Sequence, residues 1–359
     1  MNNILSTIPE KNIDFGKNYI EVSDNVFIGH KATLRIDKLS FTSEPKDRDL
    51  LINKLIKIKS NSKYDVKHYK SSGSIAKLYK RMITICSKKN KKIGLTINYD
   101  PKFKRVNFIR FELSPQHIRC KQMAKLIDFL ARKRCLGNMI FMLLNRADVT
   151  RIDIALDLYG ISASNYYFGL DGATKGKLHL KDECHGFGGV SLGSYKSTVQ
   201  IAVYDKVYIE KDNINDIKYY LYHHEELKFM RIEARIKPKG SSELMLSNLF
   251  MTERISNPFE RLCIYPLSIK TQLFKYESFY NLLDKMTIPE ALGKIEKGYA
   301  KDNIRKILKQ NKACLFDGKR LWEKEKLKCM SLLGVLQQPA YWDRKIWNKY
   351  ILKRRSKRK

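Results

Sequence analysis

Acidic residues are scarce in this chain. Its 359 residues hold 37 Asp+Glu against 70 Lys+Arg, a formal net charge of +33. A free protein of that charge repels itself, so a polyanionic partner is expected. Long hydrophobic runs are also missing. The most apolar stretch, around Ile140 to Leu144, falls far short of the roughly 20 residues that a membrane span needs. The opening MNNILSTIPEKNIDFG has no basic segment followed by an apolar one, so no secretory signal is expected. The cysteines (Cys86, Cys120, Cys135, Cys184, Cys263, Cys314, Cys329) are seven, scattered, and never spaced Cys-x-x-Cys. That argues against a disulfide framework or a zinc finger and for reduced thiols in a cytoplasmic protein. No Walker motif occurs, so ATP hydrolysis by this chain is not expected. With membrane features lacking, nucleic acid is the expected polyanion.

What is present suffices for a core: 43% hydrophobic and 11% aromatic residues, which excludes wholesale disorder. Residues 1–25 lack periodicity and read as an arm, residues 26–275 as a core, and residues 276–359 as a basic helical region. Period-two alternation predicts strands at Ala32 to Thr42, Ile93 to Asn98, Val106 to Leu113, Val149 to Leu158, Thr198 to Lys206 and Phe229 to Lys237. Helical spacing is clearest at Gln122 to Arg134, where Met123, Leu126, Ile127 and Leu130 share one face. Leu50 to Ile58, Ile295 to Gln310 and Lys319 to Leu333 also read as helices. Residues 160–190 are rich in glycine, polar and aromatic residues and read as an irregular insertion, its end leading into a hairpin turn at Gly193 to Ser197. The fold class is therefore α+β: an antiparallel sheet core with helices on one face, plus the basic helical region. The terminal Lys353-Arg354-Arg355-Ser356-Lys357-Arg358-Lys359 suits phosphate contacts.

A tripeptide recurs within the strands: Arg35-Ile36-Asp37, Arg110-Phe111-Glu112, Arg151-Ile152-Asp153 and Arg231-Ile232-Glu233. Residues i and i+2 of a strand share a face, so each copy sets a cation beside a carboxylate with an apolar residue behind. Cross-strand ion pairing on a solvated face accounts for any single copy equally well. Four copies together point to a duplicated β-rich architecture.

Chemistry concentrates on three strands. One carries Arg151, Asp153 and Asp157 on its polar face, a second carries Tyr204 and Lys206, and a third carries Arg231, Glu233, Arg235 and Lys237. Aligned, they would present a phenol, carboxylates and cations together. Carboxylate oxygens are hard ligands suited to Mg²⁺ or Mn²⁺. A phenol is a weak nucleophile at its ordinary pKa near 10 and needs a nearby cation, base or metal; Lys206 shares its face. Asp153 and Asp157 lie about 13 Å apart on an ideal strand, so Asp153 pairs more naturally with Glu233. A strand tyrosine is, equally, an ordinary packing residue.

The ordered set VTRIDIALDLYG, LGSYKSTVQIAVYDK and MRIEARIK resembles the replication initiation factor family, which includes rolling-circle plasmid and phage initiators and relaxases of conjugative elements. ATLRIDKLSFT also resembles the family's opening strand, and the likeness spans about residues 32–240. It implies a fold similar to the HUH endonucleases, with carboxylates in place of their histidine pair. It further implies origin-specific DNA nicking and joining through a 5′-phosphotyrosyl intermediate and a divalent metal. The Tyr of the family's Y-x-K motif matches Tyr204, the expected nucleophile; the strand faces add Lys206 as its assisting cation and Asp153, Glu233 and Asp157 as metal ligands. Arg151, Lys196, Arg231, Arg235, Lys237, Arg354 and Arg355 would contact DNA. Tyr195, where the family often has a basic residue, and Tyr208 are rival nucleophiles. Expected partners are duplex origin DNA, single-stranded DNA, a host helicase and a second copy of the chain. A non-enzymatic DNA-binding regulator on the same scaffold is the alternative, and an RNA-binding protein a third. His223-His224-Glu225-Glu226 cannot act as an HUH pair, since adjacent histidines point to opposite strand faces. Cys184-His185 lacks a partner at zinc spacing. Gly186-Phe187-Gly188-Gly189 lacks the strand–loop–helix setting of a nucleotide loop and reads as a tight turn or a close backbone approach to DNA.

Overall fold

The computed structural model describes residues 18–22, 31–91, 93–181, 186–207, 228–238, 244–249, 251–343 and 345–348. It is a mixed α+β protein. In chain order its elements are β1 (Ile20–Glu21), β2 (Lys31–Ser43), α1 (Arg48–Ile56), β3 (Tyr64–Lys70), β4 (Tyr79–Ser87), β5 (Gly94–Pro101) and β6 (Ile109–Leu113). Then come α2 (Cys120–Leu130), α3 (Met139–Asn145), β7 (Asp148–Tyr159), β8 (Tyr166–Leu170), β9 (Gly176–Lys181), β10 (Gly186–Leu192), β11 (Val199–Val207) and β12 (Lys228–Ile236). The remainder is β13 (Leu262–Pro266), α4 (Ile269–Gln272), α5 (Glu277–Leu282), α6 (Ile288–Lys294), α7 (Tyr299–Gln310) and α8 (Gly318–Ser331).

The main sheet is antiparallel, in the order β3-β4-β5-β6-β2-β7-β12-β11-β10-β9, with β1 added to β2. The order is palindromic. β2 is followed by a four-strand meander that returns β6 to its side, and β7 by a four-strand meander that returns β12 to its side. The halves meet along β2 and β7. The four Arg–apolar–acid tripeptides fall on β6, β2, β7 and β12, the contiguous centre of the sheet.

One face of the sheet is apolar. Leu34, Ile36, Leu39 and Phe41 of β2 and Ile152, Ile154, Leu156 and Leu158 of β7 are buried there. They join one cluster with Met123, Leu126 and Leu130 of α2, Ile140 and Leu144 of α3, and Leu321, Trp322 and Met330 of α8. Full burial of each such side chain contributes about 1.5–3 kcal/mol. The helices start where the sequence supplies caps: the Asp47 carboxylate accepts from the Leu50 amide at 2.9 Å, and Asp317 accepts from Arg320 at 3.0 Å. Within the basic region, α8 and Trp347 return to this main core. The helices α4 to α7 instead build a second apolar cluster on β13, from Tyr265, Ile269, Phe279, Ile288 and Leu308.

The described part of residues 160–190 is largely regular. It holds β8, β9 and the start of β10, and β8 pairs with β13 rather than with the main sheet. Strands this short carry too few residues to show a period, and the partner of β8 lies almost a hundred residues away. The two lysine-rich C-terminal helical readings, Ile295 to Gln310 and Lys319 to Leu333, correspond to α7 and α8.

Candidate functional site

The opposite face of the sheet is polar and carries the candidate site. β7, β12 and β11 are consecutive neighbours, so the three strands singled out in the sequence do align. Arg231 stands opposite Asp157 on one side and Tyr204 on the other, and Arg235 opposite Asp153 and Gln200. Between them Glu233 is flanked by Ala155 and Ala202. Two methyl side chains leave a hollow there.

β2 closes the hollow through a β-bulge. Ile36 pairs with Ile154 and Lys38 with Asp153, so Asp37 and Lys38 together oppose one residue of β7. A bulge re-aims the side chain at the extra position. Asp37 thereby joins Asp153 and Glu233, with one carboxylate oxygen from each lying within 4.8 Å of the others. Asp153 is fully buried; Asp37 and Glu233 are half-buried. Three clustered carboxylates offer the hard oxygen donors that Mg²⁺ or Mn²⁺ takes, so the residues present fit such an ion. Burial first, and then the Asp37 and Asp153 charges, push the Glu233 carboxyl above its ordinary pKa, which is the mark of negative charge without full compensation. Arg151 bonds Asp153 through its Nε at 2.8 Å, and Arg235 lies 3.8 Å from both Asp153 and Glu233.

Tyr204 reaches this cluster. Its hydroxyl donates to Glu233 Oε2 at 3.2 Å. Burial and the Glu233 charge raise the phenol well above its ordinary pKa, and Arg231 is the cation that opposes them. Lys206, expected to supply that opposing field, is instead pushed down by its own burial and by Arg231. The position of Tyr204 is set from behind by glycine. β10 bulges between Phe187 and Gly189, and a Cβ on Gly189 (φ +139°) would lie 2.9 Å from both Tyr204 Cβ and the Val203 carbonyl oxygen. The close approach expected of Gly186 to Gly189 was to DNA; at Gly189 the approach is to the tyrosine's own strand.

Two expected site residues are occupied elsewhere. Asp157 and Arg231 are both almost wholly inaccessible and form a bidentate pair, at 2.5 and 2.7 Å. Arg35 adds a contact to Asp157 at 2.9 Å. Arg231 also donates to Asp37 and to Gln116, each at 3.2 Å. Asp157 therefore does not share the metal cluster, and Arg231 does not face a phosphate. As buried opposite charges they satisfy one another, which keeps Asp157 out of the acidic cluster and Arg231 off the accessible rim. Arg151, Arg235 and Lys237 remain partly accessible along the rim; Lys237 Nζ donates to Gln200 at 2.9 Å and to the Tyr195 carbonyl at 3.0 Å. Lys196 and Tyr195 sit in the exposed β10–β11 turn, stacked on each other at 5.7 Å. Tyr208, Cys184-His185, His223 to Glu226, Arg354 and Arg355 lie outside the described residues.

Asp37 is the residue that sequence reasoning missed as a ligand. A signal for it exists: the apolar positions of β2 run 34, 36, 39, 41, and the step of three marks the bulge.

The N-terminal half holds the counterpart of this site in altered form. Glu112 and Arg110 of β6 correspond to Glu233 and Arg231, and β5 places Thr96 and Asn98 beside them, where β11 places Ala202 and Tyr204. Glu112 is bonded by Arg110 at 2.8 Å and Ser40 at 3.2 Å, with Lys38 at 3.7 Å. These cations and hydrogen bonds outweigh burial and lower its pKa. Here the carboxylate is compensated by an ion pair, and Asn98 stands where the other half places Tyr204.

No protein-family model matches the chain, and no curated protein matches it. Among solved structures the chain is similar to a rolling circle replication initiator protein from Geobacillus stearothermophilus, with 14% identity, a TM-score of 0.30, and coverage of 57% of this chain and 74% of that one. Among the described residues, no helix is long and apolar enough to cross a membrane.

Proposed function

We propose that this chain is a metal-dependent DNA strand-nicking and rejoining protein of the replication-initiator or relaxase kind, with Tyr204 as nucleophile. The observation that carries the reading is the meeting of Tyr204 Oη with the Asp37–Asp153–Glu233 cluster on an open, cation-rimmed sheet face. The net charge of +33 supports a nucleic-acid substrate.

In this reading Asp37, Asp153 and Glu233 hold a divalent ion. When bound, that ion polarises the scissile phosphate and neutralises charge that develops on it. Arg151 and Arg235 orient the phosphodiester. The Tyr204 hydroxyl, already hydrogen-bonded to Glu233, gives up its proton in that direction as its oxygen attacks phosphorus. The bond from phosphorus to the 3′ oxygen breaks, and that oxygen leaves as a 3′-hydroxyl after taking up a proton. The 5′ phosphate stays on Tyr204, and reversal by the 3′-hydroxyl rejoins the strand. Arg231 acts as a positioning residue, since it ties Asp37 of β2 to Asp157 of β7. Because no nucleotide-hydrolysing motif is present, unwinding falls to a separate helicase in the cytoplasm.

The test uses supercoiled plasmid bearing DNA from around the chain's own gene, with Mg²⁺ or Mn²⁺. Nicked circles and a protein–DNA adduct are expected from the wild type, and neither from Tyr204→Phe, which should still bind the DNA. Nicking by Tyr204→Phe overturns the assignment of the nucleophile. Binding by the wild type with no nick and no adduct in either metal leaves only the DNA-binding regulator.

A further inference from the structure

A groove of about 490 Å³ runs between the β8–β13 ribbon and helices α6 and α7, on the second core and apart from the acidic hollow. Its floor is apolar, formed by Leu170, Pro289 and Leu292, and its rim carries Lys301, Arg305, Lys309 and Lys312. The first three cations follow one another at four-residue steps of α7. They therefore form one stripe with about 6 Å between successive members, while Ile304 and Leu308, beside the stripe on the helix, pack into the second core and Leu308 also lines the groove.

The rim charges are lightly engaged. Lys301 donates to the Ile295 carbonyl at 2.8 Å, Arg305 pairs with Asp302 at 3.1 Å, and Lys312 with Asp171 at 3.1 Å. Exposed pairs of this kind contribute little, so exchanging them for phosphate costs little. A ligand that uses both parts of the groove must have flat or apolar bodies at intervals beneath a regular line of negative charge. Single-stranded DNA has that pattern, with base faces for the floor and successive phosphates for the stripe.

We infer that this groove is a second binding site for single-stranded DNA, gripping about three nucleotides, one phosphate to each cation of the stripe, at a distance from the acidic hollow. The inference rests on the nucleic-acid part of the proposed function and not on cleavage.

The test measures anisotropy of a labelled single-stranded oligonucleotide of about 16 nucleotides bound to the full chain. The proteins compared are the wild type, the triple variant Lys301→Gln/Arg305→Gln/Lys309→Gln, and Leu292→Trp, which fills the groove without changing charge. Losing three phosphate contacts should lower the slope of log affinity against log salt by about 2, at about 0.7 per contact. Affinity near 50 mM salt should fall at least about tenfold. Leu292→Trp should weaken binding with its melting temperature unchanged. An unchanged slope and affinity in the triple variant, or unchanged affinity in Leu292→Trp, overturns the inference. So does loss of binding to phosphatidylserine vesicles with DNA binding intact, which would make the groove a lipid site. Nicking activity separates the two claims: a triple variant that nicks plasmid and binds oligonucleotide as the wild type does sinks the groove alone, whereas a wild type that binds no DNA sinks both.

Discussion

Replacing Glu233 by Gln keeps an oxygen able to accept from Tyr204 but removes one of three crowded charges. The carboxylate oxygens lie within 4.8 Å of one another, so Asp37 and Asp153 each repel Glu233 by at least about 3 kcal/mol at an effective dielectric near 20. Arg235, at 3.8 Å, offsets about 4 kcal/mol on the same scale. Partial exposure roughly halves the remainder, to about 1 kcal/mol. In EDTA, Glu233→Gln should therefore melt about 1–2 °C above the wild type. Divalent metal should reverse the order. At an Mn²⁺ concentration about tenfold over its Kd, the wild type gains about 1.4 kcal/mol, and Glu233→Gln and Asp37→Asn gain close to none. Differential scanning calorimetry with EDTA and then with MnCl₂ reads both effects. A Glu233→Gln protein that melts below the wild type in EDTA refutes the crowding argument. Equal metal-induced gains in all three proteins refute the cluster as a metal site.

Arg231→Met should destabilise the protein by about 3–5 kcal/mol, because it strands the buried Asp157 charge, with Arg35 at 2.9 Å holding the loss toward the lower end. Urea unfolding checks this, and a loss under about 1 kcal/mol would show that the pair is not buried in solution. Alkaline pH probes the core independently. Burial pushes the Tyr64 and Tyr79 phenols up to about 12. Below about pH 10 both are protonated whether folded or unfolded; between about 10 and 12 only the unfolded chain ionises them, so stability falls as pH rises through that window. Phenolate absorbance and circular dichroism followed together should show these two tyrosines ionising with unfolding, and ionisation well ahead of it would contradict their burial.

The centre of the sheet was legible in the sequence because it obeys a local rule. β7, β11 and β12 are nine or more residues long and alternate, β2 alternates on either side of its bulge, and the recurring Arg–apolar–acid tripeptide marks the four central strands. The meeting of Asp153, Glu233 and Tyr204 followed from assuming those strands adjacent. What escaped depended on partners distant in the chain or on breaks in the rule. Asp37 entered through a bulge, which shifts the alternation that would otherwise define the face. The pairing of Asp157 with Arg231 was not legible, because spacing shows which face a charge occupies but not whether an opposite charge across the strand neutralises it. β8 and β9 are too short to carry a period. The return of α8 and Trp347 to the main core lies beyond any local signal, since the composition of residues 276–359 is lysine-rich throughout.

The mirrored strand order gives the molecule two matched workbenches, only one of them equipped. Where β11 supplies Tyr204, β5 supplies Asn98, and where Glu233 stands crowded by acids, Glu112 is quenched by Arg110 and Lys38. On the nicking reading, a single copy can hold one broken end at a time. It cannot sever both strands of a duplex unaided, and the number of DNA ends it carries should never exceed the number of chains.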